Sequence, residues 1–95
     1  MKKIAYLGMN VHAGHGVLGH MDFNGTFIGN QTLPTSERNI IAALKTAKAE
    51  EKYLALEESN LVYWAAQVAK FNVTEVISFD PKEDALIFRG GDKAR

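Results

Sequence analysis

The chain has 95 residues, 46% of them apolar, with 11 Lys and Arg set against 11 Asp and Glu and no cysteine. That length fits one domain, and the apolar fraction excludes a largely disordered chain. The zero net charge argues against strong autonomous nucleic-acid binding, which draws on a basic excess, and the lack of Cys excludes disulfides and thiolate metal sites.

The apolar run Ile4 to Leu7 behind Lys2 and Lys3 is too short for a signal-peptide core or a membrane span. A cytoplasmic protein with no membrane partner is expected. Residues 2–12 predict a strand, with Ile4, Tyr6 and Gly8 on one face and Ala5, Leu7 and Met9 on the other. Two apolar faces suit a central strand covered on both sides. Asn24-Gly25 is the clearest hairpin signal, since both residues accept positive φ. It predicts strands over 16–23 and 26–33 and an antiparallel meander of the first three strands. Pro34 should end that sheet, and Thr35 or Ser36 should cap a helix running to about Glu51. Ile40, Ile41, Leu44 and Ala47 would form its apolar stripe. Tyr53 to Leu56 predicts a buried strand ending at Glu57 and Glu58. A second helix is expected over 60–71, packed through Leu61, Trp64, Ala65 and Val68 and closed near Asn72. Val73 to Phe79 predicts the last strand, with a short helical turn over 82–88 and a charged tail from Gly90.

The expected order is therefore β-β-β-α-β-α-β. This is an α/β fold with a mixed sheet: an antiparallel meander, then parallel strands, with helices on the faces. The domain is expected over 1–89 and a flexible tail over 90–95. The meander leaves an edge strand, which suggests a homodimer.

Three groups of residues bear on chemistry. Gly14-His15-Gly16-Val17-Leu18-Gly19 matches G-x-G-x-x-G, but a dinucleotide site needs a helix directly after the glycines, and here an extended segment is expected. A glycine loop bent between two strands over phosphates is a second reading, and a plain hairpin turn is the third and simplest. His12, His15 and His20 could hold a metal, although alternation along a hairpin scatters them over two faces. The strand ends carry the most information. Asn10, Glu57 and Asp80 should meet at one sheet edge if their strands are parallel, and carboxylates gathered there could hold Mg²⁺. The alternative is that Glu57 and Glu58 only cap the helix that follows.

Tyr6-Leu7-Gly8-Met9-Asn10-Val11-His12 resembles the Gly-Ile-Asp-Val-His opening of a family of bacterial insertion-sequence transposases and site-specific DNA invertases. That family carries an N-terminal RuvC-like domain with four acidic residues. Leu56-Glu57-Glu58-Ser59-Asn60-Leu61-Val62-Tyr63-Trp64 resembles its Glu-Ala-Thr-Gly segment, which is followed by Tyr-Trp. Val76 to Ala85 resembles its next strand, and Gly91-Asp92-Lys93-Ala94-Arg95 the start of its last acidic stretch. The resemblance implies a ribonuclease-H-like fold, Mg²⁺ and DNA strand cleavage and transfer, as used in transposition and DNA recombination. It matches Glu57 to the second acidic ligand and Asp92 to the third. Asn10 stands where the first Asp belongs. Neither the fourth acidic residue nor the family's C-terminal domain has a counterpart.

The expected function is that of a truncated, transposase-related domain, catalytically inactive alone, with residual DNA or protein binding. Two alternatives stand beside it. One is an active Mg²⁺-dependent nuclease and strand-transfer domain using Glu57, Asp80 and Asp92. The other is a phosphate- or nucleotide-binding fragment of actin-like fold.

Overall fold

A computed structural model of the chain describes residues 2–21 and 27–79. The elements are β1 (Ile4–Val11), β2 (His15–Met21), β3 (Phe27–Pro34), α1 (Glu37–Leu44), β4 (Glu51–Glu57), α2 (Val62–Ala69) and β5 (Glu75–Phe79). They form a small α/β domain with one five-stranded mixed sheet in the order β3-β2-β1-β4-β5. The pairs β1–β2 and β2–β3 are antiparallel, and β1–β4 and β4–β5 are parallel. The Asn24-Gly25 turn, the helical turn at 82–88 and the tail lie outside the described residues. Among the described residues no helix is long and apolar enough to cross a membrane.

Strand alternation divides the sheet into two faces. Leu7, Met9 and Val11 of β1, Leu18 of β2, Leu33 of β3, and Leu54 and Leu56 of β4 are buried in one cluster with Ile40, Ala43 and Leu44 of α1 and Ala65 and Ala69 of α2. Both helices therefore pack on the same face, whereas the two apolar faces of β1 had predicted cover on both. Tyr6, Gly8 and Asn10 take the opposite face. They stand in register with Met21, Gly19 and Val17 of β2. Tyr53, Ala55 and Glu57 of β4 share it and pair with Glu75, Ile77 and Phe79 of β5.

The helices are shorter than periodicity predicts. Ser36 is the N-cap of α1, with extended backbone and an Oγ that accepts from the Asn39 amide at 3.1 Å. Thr35, the other candidate, instead donates its hydroxyl to the His12 carbonyl. The expected helix continued to about Glu51, yet α1 stops at Leu44. Two bonds end it: the Thr46 hydroxyl turns back to the Ala43 carbonyl at 2.6 Å, and Lys52 Nζ, from the following strand, donates to the Leu44 carbonyl at 2.9 Å. The amides of Glu50 and Glu51 both donate to the Lys3 carbonyl, at 3.0 and 3.2 Å, which commits this stretch to β4. Ala47 is buried all the same, from the turn rather than from a helical stripe. In α2 the small residues Ala65 and Ala69 face the core, and Trp64, expected to pack there, is 36% exposed. Small residues let the helix lie close to the sheet, and an indole does not fit beneath it.

Candidate functional site

β1 and β4 run parallel with Met9 opposite Leu56, so the next residues, Asn10 and Glu57, sit side by side at the carboxyl ends of neighbouring strands. Both line a cleft of about 370 Å³ on the helix-free face, together with Gly8, Val17, Gly19, Asn30 and Phe79. Glycine creates this space: a Cβ placed on Gly8 would meet nothing within 4 Å. The register sets Gly19 between Gly8 and Asn30 on adjoining strands, which carries the cleft across to β3.

Asn10 is half-buried, and its Oδ1 is enclosed with no hydrogen-bond partner among the described residues. An unpaired buried acceptor costs roughly 1–3 kcal/mol. The position is held closely, since a Cβ on Gly16 would come within 3.1 Å of the Asn10 carbonyl oxygen. Gly16 lets β1 and β2 approach there, which is the role of the glycine-rich segment in this fold. That segment enters β2 and no helix, so the arrangement for a dinucleotide pyrophosphate is not formed.

Glu57 is half-buried at the end of β4 and Glu58 is exposed. Neither caps α2. The N-cap is Leu61, with no side-chain cap bond, and Ser59 orders the turn ahead of it: its hydroxyl donates to the Val11 carbonyl at 2.9 Å and accepts from the Leu61 amide at 3.2 Å. The Glu58 amide donates to the Phe79 carbonyl at 2.8 Å. Together these bonds tie the ends of β1, β4 and β5 into one rim and leave the Glu57 carboxylate to the cleft. Sequence reasoning passed over Ser59 and Asn30. The bond from Ser59 to Val11 spans distant parts of the chain, and Asn30 enters the cleft only through register.

Of the residues predicted to share this edge, Asn10 and Glu57 are brought together, and Asp80 and Asp92 lie outside the described residues. The described donors are one carboxylate and two amides, those of Asn10 and Asn30. This set does not fit a two-ion centre, in which several carboxylates offset the cation charge. Among the described residues no three His, Asp or Glu side chains cluster closely enough to hold a metal ion. His12 and His15 lie with ring centroids 5.8 Å apart at the β1–β2 turn. His20 pairs with Leu7 and shares its face of the sheet.

Lys2 Nζ bonds Glu51 Oε2 at 2.9 Å. That bond, followed by the one Glu51 accepts from the Tyr53 hydroxyl, holds the Glu51 carboxyl below its ordinary value. The same Glu51 bond pushes the Tyr53 phenol up. Comparison with protein-family models and with curated proteins finds no match to the chain.

Proposed function

We propose that this chain is a ribonuclease-H-like domain related to the RuvC-like domains of insertion-sequence transposases and DNA invertases, and that it is inactive as a nuclease by itself. The observation that carries this reading is the cleft in which Asn10 and Glu57 meet at the ends of two parallel central strands. A carboxylate at position 10 would there complete a pair able to hold a hard cation. The amide brings a dipole in place of a charge, so the site binds divalent ions poorly and cannot offset charge developing on a phosphodiester. The sheet order, with an antiparallel meander beside two parallel strands, agrees with such a fold. Zero net charge agrees with weak DNA contact at most.

The test pairs nicking of supercoiled plasmid in Mg²⁺ or Mn²⁺ with calorimetry of Mg²⁺ binding. The unaltered protein should leave the plasmid intact and give no binding heat at millimolar Mg²⁺. Divalent-dependent nicking that tracks the purified protein would overturn the proposal and favour the active nuclease. Heat on adding ATP would favour the nucleotide-binding alternative.

A further inference from the structure

The helix-free face of the sheet carries a second feature, beside the Asn10 cleft and meeting it at Met21. Tyr6 and Tyr53 face each other across β1 and β4, their rings stacked at 5.8 Å and 22°. Glu75 is the next residue in that row, paired with Tyr53 from β5. Met21, Ala55 and Ile77 complete a trough of about 310 Å³ around them. The Tyr53 hydroxyl donates to Glu51 Oε1 at 2.8 Å, which places a further carboxylate beside the pair. Among the described residues, the charged ones along the strands of this face are Glu51, Glu57 and Glu75, with no Lys or Arg at a strand position there. Lys2, ahead of β1, is bonded to Glu51.

An apolar floor, two π faces and carboxylates of one sign define what can settle on it. Nucleic acid is disfavoured, because its phosphates would meet glutamates. A second copy laid face to face would set the same glutamates against each other, and like charges opposed across an interface cost several kcal/mol. A cation on an aliphatic stem satisfies every element at once: the stem covers the apolar floor, and the head reaches a carboxylate while lying over a tyrosine ring. Arginine does this best, being planar and weakly hydrated.

We propose that this face is a docking surface for a basic amphipathic helix of a partner protein, with leucine-like residues over Ala55 and Ile77 and an arginine over Tyr6 and Tyr53 reaching Glu75. The inference does not rest on the nuclease ancestry of the Asn10 cleft.

The test uses the full chain, isotopically labelled, and a synthetic amphipathic helix of about four turns with leucine on one face and arginine on its flanks. A control peptide carries glutamate for arginine. The arginine peptide should move the amide signals of Gly8, Tyr53, Ala55 and Ile77 and leave those of Ile40 and Ala65 in place. Glu75→Gln should weaken its binding about tenfold, and Glu75→Lys should reverse the preference toward the control peptide, with both variants melting like the parent. Equal binding of the two peptides, or no binding of either, overturns the proposal. So do three other results: a dimer in sedimentation that Ile77→Ser abolishes, contacts from Leu86 or Ile87 of the free chain to Ile77, and displacement of the peptide by a thymidine oligonucleotide. These would assign the face to a second copy, to this chain's own 80–95 segment, or to nucleic acid.

Discussion

Asn10→Asp is the substitution whose outcome is most fully determined by the geometry. It changes one amide to a carboxylate of the same shape beside Glu57. Neighbouring strands lie about 4.8 Å apart, so the two negative charges would sit roughly 5 Å from each other. At that distance their repulsion is about 3 kcal/mol at an effective dielectric of 20 and about 0.8 kcal/mol in bulk water. A half-open cleft falls between these limits, so a loss of about 1–3 kcal/mol is expected in chelator. For a domain of this size that corresponds to a fall in Tm of roughly 5–15 °C. A divalent cation between the carboxylates reverses the sign of the interaction. Thermal melts of the variant in EDTA and in millimolar Mg²⁺ should therefore differ by several degrees, and those of the parent should coincide. Asn10→Val supplies the control: it removes the unpartnered Oδ1 and should raise stability by about 1 kcal/mol, with no response to Mg²⁺. The reasoning fails if Asn10→Asp melts like the parent in EDTA, for the two side chains would then not face one cleft. It also fails if Asn10→Val is strongly destabilising, for the amide would then be bonded in solution.

Three further outcomes follow from the same structure. Leu54 is buried on the central parallel strand at 1% exposure, and Leu54→Ala should cost about 2–5 kcal/mol in denaturant unfolding by leaving a cavity under α2. Ser59→Ala removes both the bond to the Val11 carbonyl and the one from the Leu61 amide; a loss of roughly 1–2 kcal/mol is expected, with amide signals of Asn10 and Glu57 shifting together because Ser59 links their strands. Glu51 has a folded pKa below its ordinary 4.5, so its pairing stabilises the fold above that pH and the contribution is lost as pH falls through the lowered value. Stability measured from pH 6 to pH 3 should therefore fall less steeply in Glu51→Gln than in the parent, by a small amount because the Lys2 side chain is 59% exposed.

Strand existence was legible because a period of two leaves its mark on single segments. The apolar run from Ile4 to Met9 marks β1 as a strand without reference to any other part of the chain, although it predicted cover on both faces and only the structure singles out Leu7, Met9 and Val11 as the buried one. Helix ends were less legible because distant residues decide them. Nothing near Leu44 announces that Lys52, on a strand still to come, will take its carbonyl, or that Lys3 will accept the amides of Glu50 and Glu51. The aromatic pair of α2 misled for a related reason. Trp64 carries the largest apolar side chain of that helix, yet a helix lying close to a sheet selects Ala65 and Ala69 for the contact.

The candidate site divides in the same way. That Asn10 and Glu57 end their strands can be read locally, and a shared edge follows once the strands are parallel. Which residues complete the cleft depends on register, a property of strand pairs that one segment does not encode. Shifting β1 by one residue against β4 would turn the Asn10 side chain to the helix side, so the Met9–Leu56 pairing is what makes a site of two separate polar residues. That register is held by the leucine side chains of the core. Leu7 stands opposite Leu54 and both are buried, and a slip of β1 would put Tyr6 in place of Leu7 on the buried face. The burial of a few leucines, each worth about 1.5–3 kcal/mol, thus outweighs the roughly 1–3 kcal/mol spent on the unpartnered Asn10 oxygen. The scaffold therefore holds the geometry of this edge whatever side chain stands at position 10, and a single substitution there can add a charge without first rebuilding the fold.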